Sequence, residues 1–79
     1  MKNEFENEFE QEYKQIGLKI AYYRKFKGLT QEDLAEKLGV ATSYIGQIEA
    51  PNMYKPISLT TLLRIAQCIE VEPYKLLEF

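Results

Sequence analysis

The sequence predicts an all-α domain of five helices with an extended first helix. Three observations predict it. Apolar residues recur at three- and four-residue spacing through nearly the whole chain, the period of helices with one buried face. Period-two alternation with β-branched enrichment is missing. The one alternating run, EFENEFEQEY, alternates in glutamate, while its aromatics Phe5, Phe9 and Tyr13 recur at helical spacing. Capping residues and glycines then punctuate the chain at intervals suited to short helices.

The first helix is expected from about residue 4 to 27. Asn3 is its candidate cap, with Glu6 three residues on, and its acidic first turn suits the helix dipole. Ile16 and Ile20 continue the aromatic face. Gly17 is the place for a bend or interruption, since a glycine inside a helix costs about 1 kcal/mol relative to alanine. Gly28 ends the helix. Thr30 caps the second helix with Asp33 as a weak capping-box partner. Leu34, Ala35 and Leu38 form its inner face, and Gly39 stops it. A third helix is expected from about Thr42 to Glu49, with Ile45 and Ile48 inward. Residues 50–57, APNMYKPI, contain two prolines and read as a loop. Ser58 caps a fourth helix with Leu59, Leu62, Leu63, Ala66 and Ile69 as its apolar stripe. Pro73 suits the first position of a short fifth helix, with Leu76 and Leu77 facing in.

Seventy-nine residues, 46% of them apolar, make one globular domain. A chain of this length buries only about 60% of its unfolded surface, so its stability margin is small. One cysteine, Cys68, allows no disulfide within the chain and fits a reducing compartment. With a single cysteine and no histidine, a zinc site of the usual kind is not expected. Cys68 reads as a packing residue, because no histidine is present to activate it. No apolar run approaches the roughly 20 residues of a membrane span. The acidic start lacks the apolar core of a secretory signal. A cytoplasmic protein without membrane attachment is expected. No nucleophile–base pair, metal cluster or phosphate-cradling glycine loop appears, so neither an enzyme nor a cofactor is predicted.

The net charge of −2 is unevenly spread. Residues 1–13 hold one lysine and five glutamates, a charge of −4, whereas residues 14–79 carry +2. The chain therefore divides into an acidic, helical N-terminal extension over 1–13 and a mildly basic domain over 14–79. Screening acts over about 8 Å at physiological salt, so local charge matters more than the sum. Lys14, Lys19, Lys25, Lys27, Lys37 and Lys55 are the candidates for a local positive field. The extension's aromatic stripe is expected to pack on its own domain or on a dimer mate.

The run LTQEDLAEKLGVATSYIGQIE carries the functional signal. Counting Gln31 as first in a twenty-residue unit ending at Ala50, Ala35 is fifth, Gly39 ninth and Ile45 fifteenth. Two short helices that cross at a fixed angle need a small residue at the crossing, a turn residue tolerant of positive φ and a branched apolar lock. Ala35, Gly39 and Ile45 supply these in turn.

Together with IGLKIAYYRKFKGLTQEDLAEKLGV, SYIGQIE and ISLTTLLRIA, this unit resembles the lambda-repressor and Cro-like helix-turn-helix family, also called the xenobiotic-response-element family. The resemblance runs from Ile16 to Leu77. It implies a five-helix lambda-repressor-like DNA-binding domain whose third helix enters the major groove of double-stranded DNA. It also implies a homodimer on a two-fold operator with half-sites about 34 Å apart.

Carried over residue by residue, Gln31 matches a phosphate-holding position. Thr42, Ser43 and Gln47 match positions facing base edges, where glutamine can pair bidentately with adenine. Tyr44 lies among them, facing a phosphate or a thymine methyl, and Gly46 allows close backbone approach. Asn52, Tyr54 and Lys55 in the following loop are candidate backbone contacts. Arg24 and Glu49 match an ion pair tying the first helix to the third; if buried, loss of one partner costs about 3–5 kcal/mol. The sequence departs from the pattern in four places, one being the loop, which reads EAPN rather than the common Glu-Arg-Gly type and so lacks a phosphate-binding Arg. The recognition helix carries no Arg or Lys. Ala41 stands where the family often caps, leaving Thr42 to cap and the helix to start one residue later. Glu70 replaces a frequent glycine after the fourth helix.

The resemblance implies a transcriptional regulator, a repressor or autoregulator, of the phage-repressor, restriction–modification-controller or antitoxin type. No small-molecule effector domain is expected beside the DNA-binding unit. The net acidity and the Arg-free third helix support a second reading, a protein-interaction module on the same fold that does not read DNA.

Overall fold

The structure, a computed structural model, describes residues 8–79. The helices follow in order as α1 (Glu10–Phe26), α2 (Gln31–Leu38), α3 (Thr42–Glu49), α4 (Leu59–Cys68) and a closing 3₁₀ helix, Pro73–Leu77. Among the described residues there is no strand. The all-α expectation therefore holds, with four α-helices rather than five among the described residues. The fifth element is five residues long and opens with proline at its first turn, too short to settle into α geometry.

α1 starts later than the sequence suggested. Residues 8 and 9 form a turn, and Phe9 occupies the N-cap without a side-chain hydrogen bond. The expected cap Asn3, its partner Glu6 and the aromatic Phe5 lie outside the described residues. From Glu10 the helix runs through Gly17 without the interruption that the glycine suggested. Gly17 is instead buried where α1 crosses α3. A Cβ there would overlap the Ile48 carbonyl oxygen and come within 3.1 Å of its carbon. The glycine serves close approach, not flexibility.

α2 and α3 carry the predicted bounds. The Thr30–Asp33 capping box is complete, with both reciprocal bonds formed. Gly39 ends α2 in the left-handed region at φ 73°, the geometry that turns the chain sharply into α3. α3 begins at Thr42 with Ala41 at the N-cap and no side-chain cap, so Thr42 does not cap and the start does not shift. Ser58 caps α4 through the Thr61 N–H.

Ile20, Leu34, Ile45, Ile65, Ile69 and Leu76 are fully buried and draw all the elements onto one core. Each such side chain contributes about 1.5–3 kcal/mol relative to exposure. This burial holds α2 and α3 in place, since isolated helices shorter than about 12–15 residues are marginal. Three leucines expected inward point out: Leu59, Leu63 and Leu77 are exposed. The α4 core stripe runs through Leu62, Ile65, Ala66 and Ile69. Leu63 lies about 100° round the helix from Leu62, off that stripe. Leu38 and Cys68 are only half-buried, packed at the edge of the core. Ile57, read as loop, is buried and plugs the approach to α4. Glu70 takes φ 57°, a glycine-like conformation, which accounts for the glycine expected there.

Candidate nucleic-acid interface

The site is built on the junction of α1, α2 and α3. Arg24 from the last turn of α1 and Glu49 from the end of α3 are both buried. The Arg24 Nε donates to Glu49 Oε2 at 2.7 Å and Nη2 to Oε1 at 2.8 Å, a two-pronged pair. The remaining Nη1 donates to the Leu29 carbonyl at 2.6 Å. Gly28, at φ 76°, turns the chain so that this carbonyl faces back toward α1. Gln31 Nε2 completes the set by donating to Glu49 Oε1 at 3.1 Å. Among the described residues no buried side-chain polar atom is left without a partner. Partners on every buried nitrogen and oxygen of the pair offset part of the cost of taking two charges out of water.

Gln31 therefore points inward at its nitrogen. Its Oε1 packs beside Gly46 of α3, 3.7 Å from where a Cβ would stand. The Gly46 backbone is half-buried under this amide.

The opposite side of α3 is open. Thr42, Ser43 and Gln47 are exposed, while Ile45, Ile48 and Glu49 are buried. Among the described residues none of the three exposed side chains makes a hydrogen bond within the chain. The absence of a side-chain cap leaves the Thr42 hydroxyl uncommitted. The structure thus brings together three of the residues expected to face base edges, on one rigid rod.

The flank of α3 is different. Tyr44 is half-buried against the core, and the Lys55 ammonium sits 5.6 Å from its ring centroid. A cavity beside Tyr44 is lined by Leu38, Val40, Thr61 and Arg64. Arg64 was not singled out in the sequence; its place in the apolar run of α4 hides that it faces the α2–α3 turn. Asn52 is exposed at the loop. Tyr54 turns the other way and meets Tyr13 of α1 edge-on at 5.9 Å, so it stands apart from the α3 face. Of the lysines expected to supply field, Lys14 pairs with Glu10 at 3.5 Å. Lys27 and Lys37 border a different cavity with Cys68 and Glu70.

Among the described residues no group of His, Cys, Asp and Glu could hold a metal. No helix among them is long and apolar enough to cross a membrane.

This geometry has close relatives. A helix-turn-helix family model matches residues 20–76. The chain is 40% identical over 63 residues to the HTH-type transcriptional regulator SinR of Bacillus subtilis, a match covering 80% of this chain and 56% of that protein. The chain thus spans a little over half the length of that relative. Among solved structures, it is similar to the biofilm master regulator SinR in complex with DNA, at TM-score 0.70 and 40% identity over 80% of this chain and 98% of that one. It is also similar to the restriction–modification controller protein C.AhdI of Aeromonas hydrophila, at TM-score 0.75 and 32% identity over 84% of this chain and 97% of that one. Crossing, turn, buried ion pair and sequence all agree: the chain belongs to the lambda-repressor and Cro-like helix-turn-helix family.

Proposed function

We propose that this chain is a sequence-specific DNA-binding transcriptional regulator, a repressor or autoregulator acting as a homodimer on a two-fold operator. The observation that carries this reading is the outer face of α3, where Thr42, Ser43 and Gln47 hold uncommitted donors and acceptors on a rigidly mounted helix. In B-DNA the major groove admits an α-helix and presents a distinct donor–acceptor pattern for each base pair. Gln47 takes the role of adenine reader, with Thr42 and Ser43 reading neighbouring edges. Asn52 and Lys55 hold the phosphate backbone from the loop. Gln31 supports the interface from behind through Glu49, and as the first residue of α2 it stands at a helix N-terminus, where a phosphate is met. Arg24 and Glu49 set the angle at which α3 is presented. Regulation follows from occupancy: a bound dimer blocks or positions polymerase.

The net charge of −2 and the lack of Arg or Lys on α3 favour a second reading, an interaction module that does not read DNA. One experiment separates the two. Duplexes bound by the protein are selected from a random pool, and binding is then titrated against salt. A regulator enriches a two-fold sequence and weakens steeply as salt rises, because bound counterions are released. An interaction module enriches nothing and gives no shift at low salt.

A further inference from the structure

The Tyr44–Lys55 contact answers how α3, itself without a cation, acquires positive charge. The Tyr44 ring is fixed, packed on the core from the first turn of α3. The Lys55 ammonium lies 5.6 Å from its centroid, inside the roughly 6 Å range of a cation–π contact. Lys55 precedes Pro56, which restricts its backbone to extended geometry and limits where the side chain can go. Among the described residues Lys55 forms no salt bridge, so its charge is not neutralised by a carboxylate. A lysine is a flexible point charge, and ordering its stem opposes any contact it makes. A ring that already holds the ammonium removes part of that cost before DNA arrives.

We propose that Tyr44 is a positioning residue: its ring seats the Lys55 ammonium beside the first turn of α3, where the lysine meets a DNA phosphate, and Tyr44 does not itself contact DNA. The proposal rests on the DNA-binding reading above and assigns Tyr44 a role different from that of its neighbours Ser43 and Gln47.

The test uses the full chain, a random-sequence duplex, and the variants Lys55→Ala, Tyr44→Phe, Tyr44→Leu and the Tyr44→Leu/Lys55→Ala double. In the free protein, NMR should show the Lys55 ε-methylene protons shifted upfield by the ring in wild type and Tyr44→Phe, and unshifted in Tyr44→Leu. On DNA, Lys55→Ala should flatten the slope of log affinity against log salt by about 0.9, one phosphate contact. Tyr44→Leu should bind about two- to five-fold more weakly on every sequence, the strength of an exposed cation–π contact. Tyr44→Phe should bind like wild type, and Tyr44→Leu should cost nothing further once Lys55 is alanine. The proposal is overturned if Tyr44→Phe loses as much as Tyr44→Leu, since the hydroxyl would then be the contact. It is overturned equally if Tyr44→Leu binds as wild type does, or if the wild-type upfield shift is missing. A wild-type protein that shifts no duplex at low salt overturns the DNA-binding reading and this inference together; wild-type binding with any of the three preceding results overturns this inference alone.

Discussion

The two sides of α3 hold similar polar groups under opposite conditions. On the inner side, Glu49 is buried and accepts three hydrogen bonds, two from Arg24 and one from Gln31. On the outer side, Thr42, Ser43 and Gln47 are exposed and bond to nothing in the chain among the described residues. Polar chemistry alone does not distinguish support from recognition; the distribution of partners does. A group whose hydrogen-bonding capacity is filled by the fold has none left for a ligand. A group left unfilled on a rigid element is available at no folding cost.

The comparison breaks most visibly at Glu49. Alanine there leaves the Arg24 guanidinium buried without its counter-ion, a loss of about 3–5 kcal/mol. Small domains have only about 5–15 kcal/mol in total. Urea denaturation of Glu49→Ala should show this drop directly. A loss below about 1 kcal/mol would mean that water enters the junction and that it is not a sealed support.

Gly17 tests the same side by the sign of an effect. In an exposed helix, glycine to alanine stabilises by about 1 kcal/mol. Here the new methyl meets the Ile48 backbone, which cannot rotate away. Gly17→Ala should therefore destabilise by about 1–3 kcal/mol, as overpacking does. A thermal melt that rises instead would show that α1 and α3 can separate without penalty.

Gln47→Ala probes the outer side. Stability should change by less than about 0.5 kcal/mol, as for an ordinary surface residue. Specific DNA binding should weaken by about 1–3 kcal/mol, with selectivity relaxed at one base position. An equal loss across all sequences would show that Gln47 does not read bases.

Much of this arrangement was legible in the sequence because short-range chemistry governs it. Thr30, Gly39 and Ser58 act within a turn of their own positions, so the bounds of α2, α3 and the start of α4 followed from local rules. What escaped depends on neighbours distant in sequence. Gly17 looked like a weak point in a helix until Ile48 arrived beside it. Leu59 and Leu63 match an apolar stripe, but Ile65 occupies the central buried position. The Leu29 carbonyl carries no side-chain signal at all, yet it completes the Arg24 donor set. Within the candidate site, Thr42, Ser43 and Gln47 fall together on the open face. Tyr44 packs against the core with Lys55 over its ring, and Tyr54 meets Tyr13 of α1.

Gln31 lies on the boundary between the two sides. Its nitrogen is committed to Glu49, and its oxygen packs beside Gly46. Gln31→Ala should cost about 0.5–1.5 kcal/mol of stability, the net worth of one hydrogen bond. Any accompanying loss of DNA affinity should be uniform over sequences, because a support or phosphate contact carries no base information. A sequence-selective loss in competition binding would move Gln31 to the reading face.

The smallest expected effect lies two residues further along α2, where an ionised group is bonded but fully exposed. Asp33 accepts from the Thr30 backbone N–H at 2.8 Å, while the Thr30 hydroxyl accepts from the Asp33 N–H at 3.0 Å. The Thr30 backbone N–H first, and its side chain second, hold the Asp33 carboxyl below the ordinary carboxylate value. Because the folded value is the lower one, the unfolded chain takes up the proton first as pH falls. The cap's contribution is then complete above the unfolded carboxylate value and disappears as pH drops through the folded one. Melting temperatures of wild type and Asp33→Ala should differ most at neutral pH and converge as acidification passes below the usual carboxylate range. Water screens this exposed pair, so the gap should be far narrower than the one opened at Glu49. A gap that stays constant with pH would show that the packing of the side chain, rather than its charge, starts α2.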